Sequence, residues 1–328
     1  MAEPLRVAVI GGGNMGRHHV RNYAELPESD LVAVADFNPA VAELAAKHGA
    51  KYFSDYREML EAVQPEAVTV AVPTNLHLEI GEAVMSRGIH TLMDKPIAAS
   101  PEEADRLIKL AQRRGLVFTV GHIERFNPIV RRLKALIDEG ALGNITSVVS
   151  KRVGGFPNVE PKTDVIVDLA VHDIDIISFL LGQHPESVNS HGSRTLHSHR
   201  IDSAEILLHY GRASGFIQAN WITPVKVRTI AVTGSGGYVE GNYITQELIY
   251  YKHNMQKTKN GFKEFVVSLG EAEKKVMPVE FEEPLAVELR AFLQTIQGDV
   301  QNRLVSPNDA REALVVALKA IHQSEVSV

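Results

Sequence analysis

Two short segments carry side chains whose types and spacing could move a proton. In the first, Asp94 and Lys95 stand directly before Pro96, at the end of an apolar run. Proline fixes its own φ and keeps the preceding residue out of the helical region, so it restricts the direction of the lysine. A lysine at the carboxyl end of a parallel strand lies where open α/β sheets bind their ligands. A solvated surface lysine is the alternative that this segment alone leaves open.

The second segment is a predicted helix over residues 164–181, which Gly182 ends. Asp168, His172 and Asp175 follow the spacing i, i+4, i+7, which places them on one helix face. The helix contains no Lys or Arg, whereas an ordinary solvent face mixes both signs of charge. A carboxylate one turn before an imidazole can orient it, so the pattern indicates a site for proton transfer or for a polar substrate. The solvent face of an amphipathic helix is the competing interpretation.

A glycine-rich turn begins the element that must position the lysine. The apolar run 5–10 leads into Gly11, Gly13 and Gly16, with Asn14 and Met15 between the last two glycines. In the pattern G-x-G-x-x-G the first glycine permits a tight turn and the second lets the backbone approach a pyrophosphate. The third lets helix pack on strand. The turn and the amides of the following helix therefore predict a dinucleotide site.

An acidic residue after the next strand bears on the identity of the dinucleotide. The predicted strand 31–35 ends in Asp36, twenty residues after Gly16. Its carboxylate can accept hydrogen bonds from a ribose 2′-hydroxyl and would repel a 2′-phosphate. Residues 37–40 contain no basic side chain, although Arg17 lies close to the turn. The sequence therefore favours NAD over NADP.

The alternation of strands and helices continues to about residue 121. The apolar run 67–72 is typical of a strand buried on both faces, and Pro73, Thr74, Asn75 and His77 follow it. Thr74 and Asn75 could bond a ribose or carboxamide, or could cap the next helix, and both interpretations stay open. The alternation predicts a parallel, doubly wound Rossmann domain over residues 1–121.

A second domain is predicted over residues 122–328, as an α+β domain with a large, mostly antiparallel open sheet. An amphipathic helix is expected from 128 to 139, and two helices are expected near the end, at 284–297 and 307–324. The alternating pattern at 214–251 leaves one sheet face able to pair with another copy, so a homodimer or homotetramer is expected. The strands are expected at 144–152, 186–191, 203–210, 214–221, 226–233 and 237–251.

Composition excludes several classes of function. The 328 residues carry a net charge of -6 and show no basic stripe with interleaved aromatics, which argues against nucleic acid. No apolar run is long enough to span a membrane, and the early first strand leaves no room for a signal peptide, so a cytoplasmic protein is expected. The chain has no cysteine, which excludes disulfides and thiolate catalysis. No metal site is predicted, because His191, His197, His199 and His209 lack the spacing and partners of a reliable zinc site.

Taken together, these segments resemble the Gfo/Idh/MocA family of nicotinamide-dependent sugar and polyol dehydrogenases. The resemblance covers essentially the whole chain in order, with Asp94 in place of the family's usual glutamate. It implies that Lys95, Asp168 and His172 form the catalytic set and that the Lys95–Pro96 bond is cis. The implied contacts to the cofactor are Gly11, Gly13, Asn14, Met15, Gly16, Asp36, Pro73, Thr74, Asn75, His77, Asp94, Lys95 and Pro96.

In such an enzyme a hydride leaves a ring C–H for the nicotinamide while the hydroxyl loses its proton. We expect His172 to be the general base, because imidazole exchanges protons near neutral pH. Lys95 would donate to the substrate oxygen and stabilise its developing negative charge. Asp168 would pair with Lys95 and hold His172, and Asp175 is a further candidate for substrate hydroxyls.

Residues 121–128 and 221–224 resemble the subgroup that oxidises position 3 of UDP-linked N-acetylhexosamines, so a nucleotide sugar is the expected substrate. Two alternatives remain: a myo-inositol or free-sugar dehydrogenase of the same family, and a regulator that binds NAD and sugar without catalysis. Retention of the whole catalytic set argues against the regulator. Arg125, Lys151 and Arg152 are expected either to bind the diphosphate or to be ordinary surface charges. The full set of expected substrate contacts is Arg125, Asn127, Lys151, Arg152, Asp168, His172 and Asp175.

Overall fold

The computed structural model describes residues 3–157, 163–197, 199–253, 255–256, 268–269, 272–299 and 304–326. Its contacts divide the chain into two compact units. The first unit comprises Met1–Phe126 and Glu282–Val315, and the second comprises Asn127–Phe281 and Val316–Val328. The boundary predicted after residue 121 lies near this division, but the domain predicted for residues 122–328 included Glu282–Val315, which packs with the first unit.

The helices and strands are numbered in chain order. The α-helices are α1 Gly16–Glu25, α2 Val41–Lys47, α3 Tyr56–Val63, α4 His77–Met85, α5 Pro101–Arg114, α6 Pro128–Asp138, α7 Val171–Leu181, α8 Pro284–Ile296 and α9 Pro307–Val326. The strands are β1 Leu5–Ile10, β2 Ser29–Ala35, β3 Lys51–Phe53, β4 Ala67–Val70, β5 His90–Asp94, β6 Phe118–Gly121, β7 Ile145–Val153, β8 Ser187–Ser193, β9 Ser203–Tyr210, β10 Ala213–Asn220, β11 Val227–Gly234, β12 Gly237–Asn242, β13 Glu247–Lys252, β14 Met255–Gln256, β15 Ser268–Leu269 and β16 Glu273–Met277.

The first unit is built on a parallel sheet with the strand order β3-β2-β1-β4-β5-β6. The strand order reverses between β1 and β4, and such a switch point is where open α/β sheets bind ligands. Both of these strands are short apolar runs with nearly all residues buried, as expected for strands covered by helices on both faces. The predicted Rossmann fold is confirmed.

Helix α8 explains why Glu282–Val315 belongs to the first unit. Its side chains Leu285, Leu289 and Phe292 are buried in one cluster with Val7 and Val9 of β1. The sequence predicts this helix correctly, but its amphipathic pattern does not identify the surface that it covers. Burial of such side chains stabilises by about 1.5–3 kcal/mol each.

The second unit is built on a sheet with the order β16-β13-β12-β11-β7-β10-β9-β8, in which β7 and β10 pair in parallel and the other pairs are antiparallel. The predicted mostly antiparallel sheet is confirmed. Helix α7 packs on one face, where Asp173 accepts a hydrogen bond from Ser150 of β7. Because side chains alternate along a strand, Val149 and Lys151 lie on the opposite face, and both are exposed.

Two elements of the second unit differ from the prediction. The strand predicted over 237–251 is two strands, β12 and β13, separated by a turn in which Gln246 has φ 55°. The signal for this turn is Asn242, whose Oδ1 accepts hydrogen bonds from the amides of Ile244 and Thr245, and the prediction included it in the strand. The helix predicted over 164–181 begins with a π-helical segment, Ile166–Ala170, that runs into α7. A π-helical turn rotates the residues within it relative to the following α-helix.

Among the helices of the described ranges, none combines the length and the apolarity that crossing a bilayer requires.

Candidate cofactor and catalytic site

The glycine turn lies between β1 and α1, at the switch point of the parallel sheet. Gly11 has φ 97°, and a Cβ there would stand 2.2 Å from the carbonyl oxygen of Ala71. A Cβ on Gly16 would stand 1.8 Å from the Gly11 carbonyl oxygen, so both positions require glycine for packing. A Cβ on Gly13 would meet no described atom within 4 Å, yet Gly13 lines a cavity. The space beside Gly13 is therefore not filled by the protein, and a ligand could approach the backbone closely there.

That cavity has a volume of about 470 Å³, within the range of cofactor sites. The Asp36 carboxylate on its wall is already oriented by the backbone. Its Oδ2 accepts from the amide of Gly12 at 2.7 Å, and its Oδ1 accepts from the amide of Asn38 at 2.8 Å. Each oxygen keeps capacity for a further donor, so the carboxylate fits the two hydroxyls of a ribose.

Five predicted cofactor contacts in the glycine turn and after β4 lie outside the lining of this cavity: Asn14, Met15, Gly16, Thr74 and Asn75. Asn14 accepts a hydrogen bond from the Arg17 guanidinium at 2.9 Å, which engages the cation that the sequence left as a possible partner of NADP. Thr74 and Asn75 lie in a 3-10 turn after β4, and their side chains cap neither that turn nor α4. Capping, one of their two open roles, is therefore not what these side chains do. Pro73, directly before them, lines the cavity.

His77 is buried and joins two loops that follow neighbouring strands. Its Nδ1 lies 2.9 Å from the carbonyl oxygen of Pro96, and its Nε2 lies 3.0 Å from that of Val72. The ring thus contacts the backbone after β4 and after β5, and it does not line the cavity. His77 holds the residue that follows Lys95, so it positions the lysine loop.

Lys95 follows β5 directly, as the sequence predicts, and is half-buried. Its backbone amide donates to the Asp94 carboxylate at 2.8 Å. The Lys95–Pro96 peptide bond is cis, as the family resemblance implies. Asp94 thus shapes the turn that presents the lysine.

In the second unit, Asp168 lies in the π-helical segment and His172 in the first turn of α7, and both are half-buried. Asp175, expected on the same face, is only 1% exposed. Its charge contributes to raising the pKa of Tyr210, after the larger effect of burial. Asp175 is therefore buried in the second unit, and its expected role with substrate hydroxyls stays a prediction.

Asp173, which the sequence analysis overlooked, forms a buried ion pair with Arg152 of β7. Arg152 Nε donates to Oδ2 at 2.8 Å and Nη2 donates to Oδ1 at 3.1 Å, while Ser150 donates to the same carboxylate at 2.6 Å. The two charged side chains are 5% and 0% exposed. The geometry gives Arg152 a structural partner, so neither expected role, diphosphate ligand or surface charge, describes it.

Three further expected substrate contacts, Lys151, Arg125 and Asn127, have surroundings that the sequence did not predict. Lys151 lies on the sheet face opposite α7, because it alternates with Arg152. Arg125 donates to Asp309 at 3.1 Å in the first unit, with 9% of its side chain exposed. Asn127 caps α6 through its Oδ1 and donates to the carbonyl of Tyr243. Lys151 thus lies on the sheet face opposite α7, and Arg125 and Asn127 each have a partner within their own unit. Their roles as substrate contacts stay predictions.

No group of three or more His, Cys, Asp or Glu side chains in the described ranges is arranged to hold a metal ion.

Several cavity-lining residues were not found from the sequence. Some follow β2, others follow β3, a strand of only three residues, and the rest lie at the end of the 3-10 turn before α4 or in the first turn of α4. The signal that could have found them is Asp55, a helix N-cap residue whose side chain accepts from the Arg57 amide. The missed lining residues are Phe37, Asn38, Ser54, Asp55, Tyr56, Arg57, Leu76, Glu79 and Ile80.

The strand order, the glycine turn and the oriented Asp36 define a dinucleotide-binding unit joined to a second unit with a large open sheet. Residues 5–122 match the family model described as "Oxidoreductase family, NAD-binding Rossmann fold", and residues 130–240 match the Gfo/Idh/MocA C-terminal domain. The chain belongs to the Gfo/Idh/MocA oxidoreductase family. The resemblance, the Rossmann unit and NAD as cofactor, all predicted from the sequence, are confirmed.

Relatives of several activities are similar to this chain. UDP-N-acetylglucosamine 3-dehydrogenase of Acidithiobacillus ferrooxidans is 35% identical over 57% of this chain and 58% of its own length. Inositol 2-dehydrogenase 2 of Saccharopolyspora erythraea is 31% identical over 58% of each chain, so both alignments span less than two thirds of the relative. A solved structure of UDP-N-acetylglucosamine 3-dehydrogenase GnnA from A. ferrooxidans superimposes with a TM-score of 0.87, at 26% identity, over 99% of both chains.

Proposed function

We propose that this protein is an NAD-dependent dehydrogenase that oxidises a ring hydroxyl, at position 3, of a UDP-linked N-acetylhexosamine. The observation that carries the proposal is the likeness to UDP-N-acetylglucosamine 3-dehydrogenase, which extends in structure over 99% of both chains. Sequence identity supports the same choice, at 35% against 31% for the inositol and D-glucoside dehydrogenases.

The cofactor fits the residues of the first unit. Gly13 offers a backbone surface that no described side chain covers, and Asp36 offers two oriented oxygens for a ribose. Pro73 lines the same cavity. Bound NAD supplies an acceptor for the hydride that leaves the substrate carbon.

The proposed chemistry divides between an amine and an imidazole. His172 accepts the proton of the hydroxyl as the C–H bond is oxidised to a carbonyl. Lys95 donates a hydrogen bond to the same oxygen and stabilises its negative charge during the reaction. Asp168, one turn before His172, acts as the carboxylate that orients the imidazole. His77 and Asp94 position Lys95 through its loop.

A free-sugar or inositol dehydrogenase is the second candidate. Inositol 2-dehydrogenase 2 and the D-glucoside 3-dehydrogenase of Escherichia coli each match 58% of this chain at 31% identity. The two candidates differ in whether the protein must recognise a diphosphate, which only the nucleotide sugar carries. That recognition needs cations other than Arg152, because the Arg152 guanidinium is bound to Asp173. A non-catalytic regulator is a third candidate, which turnover of any of these substrates excludes.

The deciding experiment follows NADH formation at 340 nm with UDP-N-acetylglucosamine, myo-inositol and D-glucose, each with NAD. We expect the highest kcat/KM with the nucleotide sugar. Thermal stabilisation by NAD plus each compound provides a measurement independent of turnover, because a bound ligand raises the apparent stability. Preference for myo-inositol or glucose in both measurements would contradict the nucleotide-sugar proposal.

We also propose that the protein assembles through the outer face of the large sheet. Residues paired across neighbouring strands form an apolar row on this face, which we call the outer row. Four of its members are 36–66% exposed: Leu207, Phe216, Val149 and Val276. Exposed apolar patches of this kind mark interaction sites. The outer row consists of Leu207, Phe216, Val149, Ala231, Ile249 and Val276, with Glu240 between Ala231 and Ile249.

A further inference from the structure

Besides Asp36, the cavity contains a second group of charged side chains that bears on the choice between NAD and NADP. Among the described residues that line it, Arg57 is the one with a basic side chain, and Asp36, Asp55 and Glu79 are acidic. An arginine close to the adenosine ribose is the group with which dinucleotide folds accept a 2′-phosphate. Arg57 thus gives this cavity a component of an NADP site, although the cofactor is NAD.

Arg57 is held by its neighbours at the start of α3 and on α4. Its Nη2 donates to Glu79 Oε1 at 2.5 Å, and its guanidinium lies over the Tyr56 ring with Cζ 4.6 Å from the centroid. Asp55 Oδ2 lies 3.9 Å from Nη1. The Tyr56 hydroxyl donates to the same Glu79 oxygen at 3.1 Å. The Glu79 carboxylate therefore binds both the Arg57 guanidinium and the Tyr56 hydroxyl.

We propose that Glu79 is a cofactor-specificity residue: it keeps the Arg57 guanidinium neutralised and directed away from a 2′-phosphate. Asp36 repels that phosphate, and Glu79 withholds the cation that would attract it. NAD carries a 2′-hydroxyl in place of the phosphate and needs no cation there. The two carboxylates thus exclude NADP by different means within one cavity.

The expected size of the effect follows from exposure. The Arg57 and Glu79 side chains are 54% and 58% exposed, and ion pairs at such positions contribute little because water screens them. Release of Arg57 should therefore change affinity for a 2′-phosphate by about two- to fivefold, which is the range of such exposed pairs. Repulsion by Asp36 masks this change, so it is best measured after Asp36 is replaced.

The test measures the ratio of the dissociation constants for NADPH and NADH by fluorescence titration of the full chain, without any sugar. Asp36→Ser should lower the ratio, and Glu79→Gln in that background should lower it by a further two- to fivefold. Adding Arg57→Gln should return the ratio to the Asp36→Ser value. Competition by 5′-AMP and by adenosine 2′,5′-bisphosphate, which differ only in the 2′-phosphate, should repeat the pattern.

Glu82→Gln is the matched control. Glu82 lies on the same helix, binds Arg106 at 2.8 Å and is not among the residues that line the cavity, so its loss removes an equal charge elsewhere. An equal change with Glu82→Gln, or a gain that survives Arg57→Gln, would overturn the proposal. So would no change in the ratio when Glu79→Gln is added to the Asp36→Ser variant. Since no sugar is present, these outcomes are independent of the proposed substrate.

Discussion

Lys95 and His172 make the most direct test at the scale of single residues. If they act on the substrate hydroxyl, Lys95→Ala and His172→Asn should each lower kcat by about 10²–10⁴-fold, the range for loss of a positioned acid or base. His172 is not among the expected cofactor contacts, so the affinity of His172→Asn for NADH should stay within a few-fold of the wild-type value. Steady-state kinetics and NADH fluorescence titration measure the two quantities separately.

Lys109→Ala is the matched control for the lysine, because Lys109 is exposed on α5 and is not among the expected site residues. Its turnover should stay close to that of the wild type. Turnover within a few-fold of wild type in either Lys95→Ala or His172→Asn would show that the residue has another role.

The Arg152–Asp173 ion pair gives a second prediction for single residues. The quantity expected to change is the free energy of unfolding and not turnover. Removing one partner leaves the other charge buried without its ion pair. Asp173→Leu should therefore reduce the free energy of unfolding by about 3–5 kcal/mol. The double variant Arg152→Met/Asp173→Leu should recover most of that loss, because it leaves no buried charge. Urea unfolding gives all the values, and a double variant as unstable as the single one would show that packing dominates.

At the scale of elements, α1 carries a buried titratable group. His19 is 1% exposed, and burial, with a smaller contribution from His18, lowers its pKa to about 3. In the unfolded chain the same imidazole binds a proton near pH 6.5. Between those two values the unfolded state binds more protons, so the free energy of unfolding falls as the pH falls.

His19 should contribute a loss of about 2 kcal/mol between pH 7 and pH 5, from 1.5 pH units at about 1.4 kcal/mol each. The variant His19→Met should lose correspondingly less over the same interval. Urea unfolding at both pH values measures the difference, and His48→Met, at a half-buried histidine of the same unit, is the control. Equal pH dependence of the wild type and His19→Met would contradict the assignment.

The elements that the sequence predicts well are those whose own pattern is complete. β1, the glycine turn and α5 can each be predicted from the residues within the segment. For α5 these include the N-cap Ser100 and Gly115, which adopts the left-handed region after the last turn. β3 was missed because three residues are too few to show a period. The cavity residues after it were therefore missed with it.

Contacts between elements were harder to predict from the sequence than the elements themselves. The basic pair Lys151 and Arg152 looked alike in sequence, but alternation along β7 sends them to opposite faces, and only Arg152 meets Asp173. The π-helical segment before α7 likewise changes which face Asp168 shares with the residues of α7. Asp175 and His172 both lie within α7, where Asp175 is buried and His172 is half-buried. A helical spacing rule assumes α geometry throughout and cannot foresee the change at Asp168.

At the scale of the whole molecule, the outer row bears on assembly. Strand pairing sets Leu207, Phe216 and Val149 side by side across β9, β10 and β7. Each is at least 36% exposed, although the opposite face of the same strands is buried. An antiparallel sheet in contact with solvent normally presents polar side chains on its outer face. A second copy meeting this face by two-fold symmetry would bury the same patch on both chains.

Phe216→Glu should therefore shift the protein towards the monomer, because assembly would bury a charge in place of an apolar side chain on both copies. The charge points outward in the monomer, so the fold should persist, which far-UV circular dichroism checks. Light scattering after size-exclusion chromatography gives the mass of each species. Ile244→Glu is the control: Ile244 is 50% exposed but lies in the turn between β12 and β13, away from the outer row. An unchanged mass for Phe216→Glu, or an equal shift with Ile244→Glu, would mean that the copies meet through another surface.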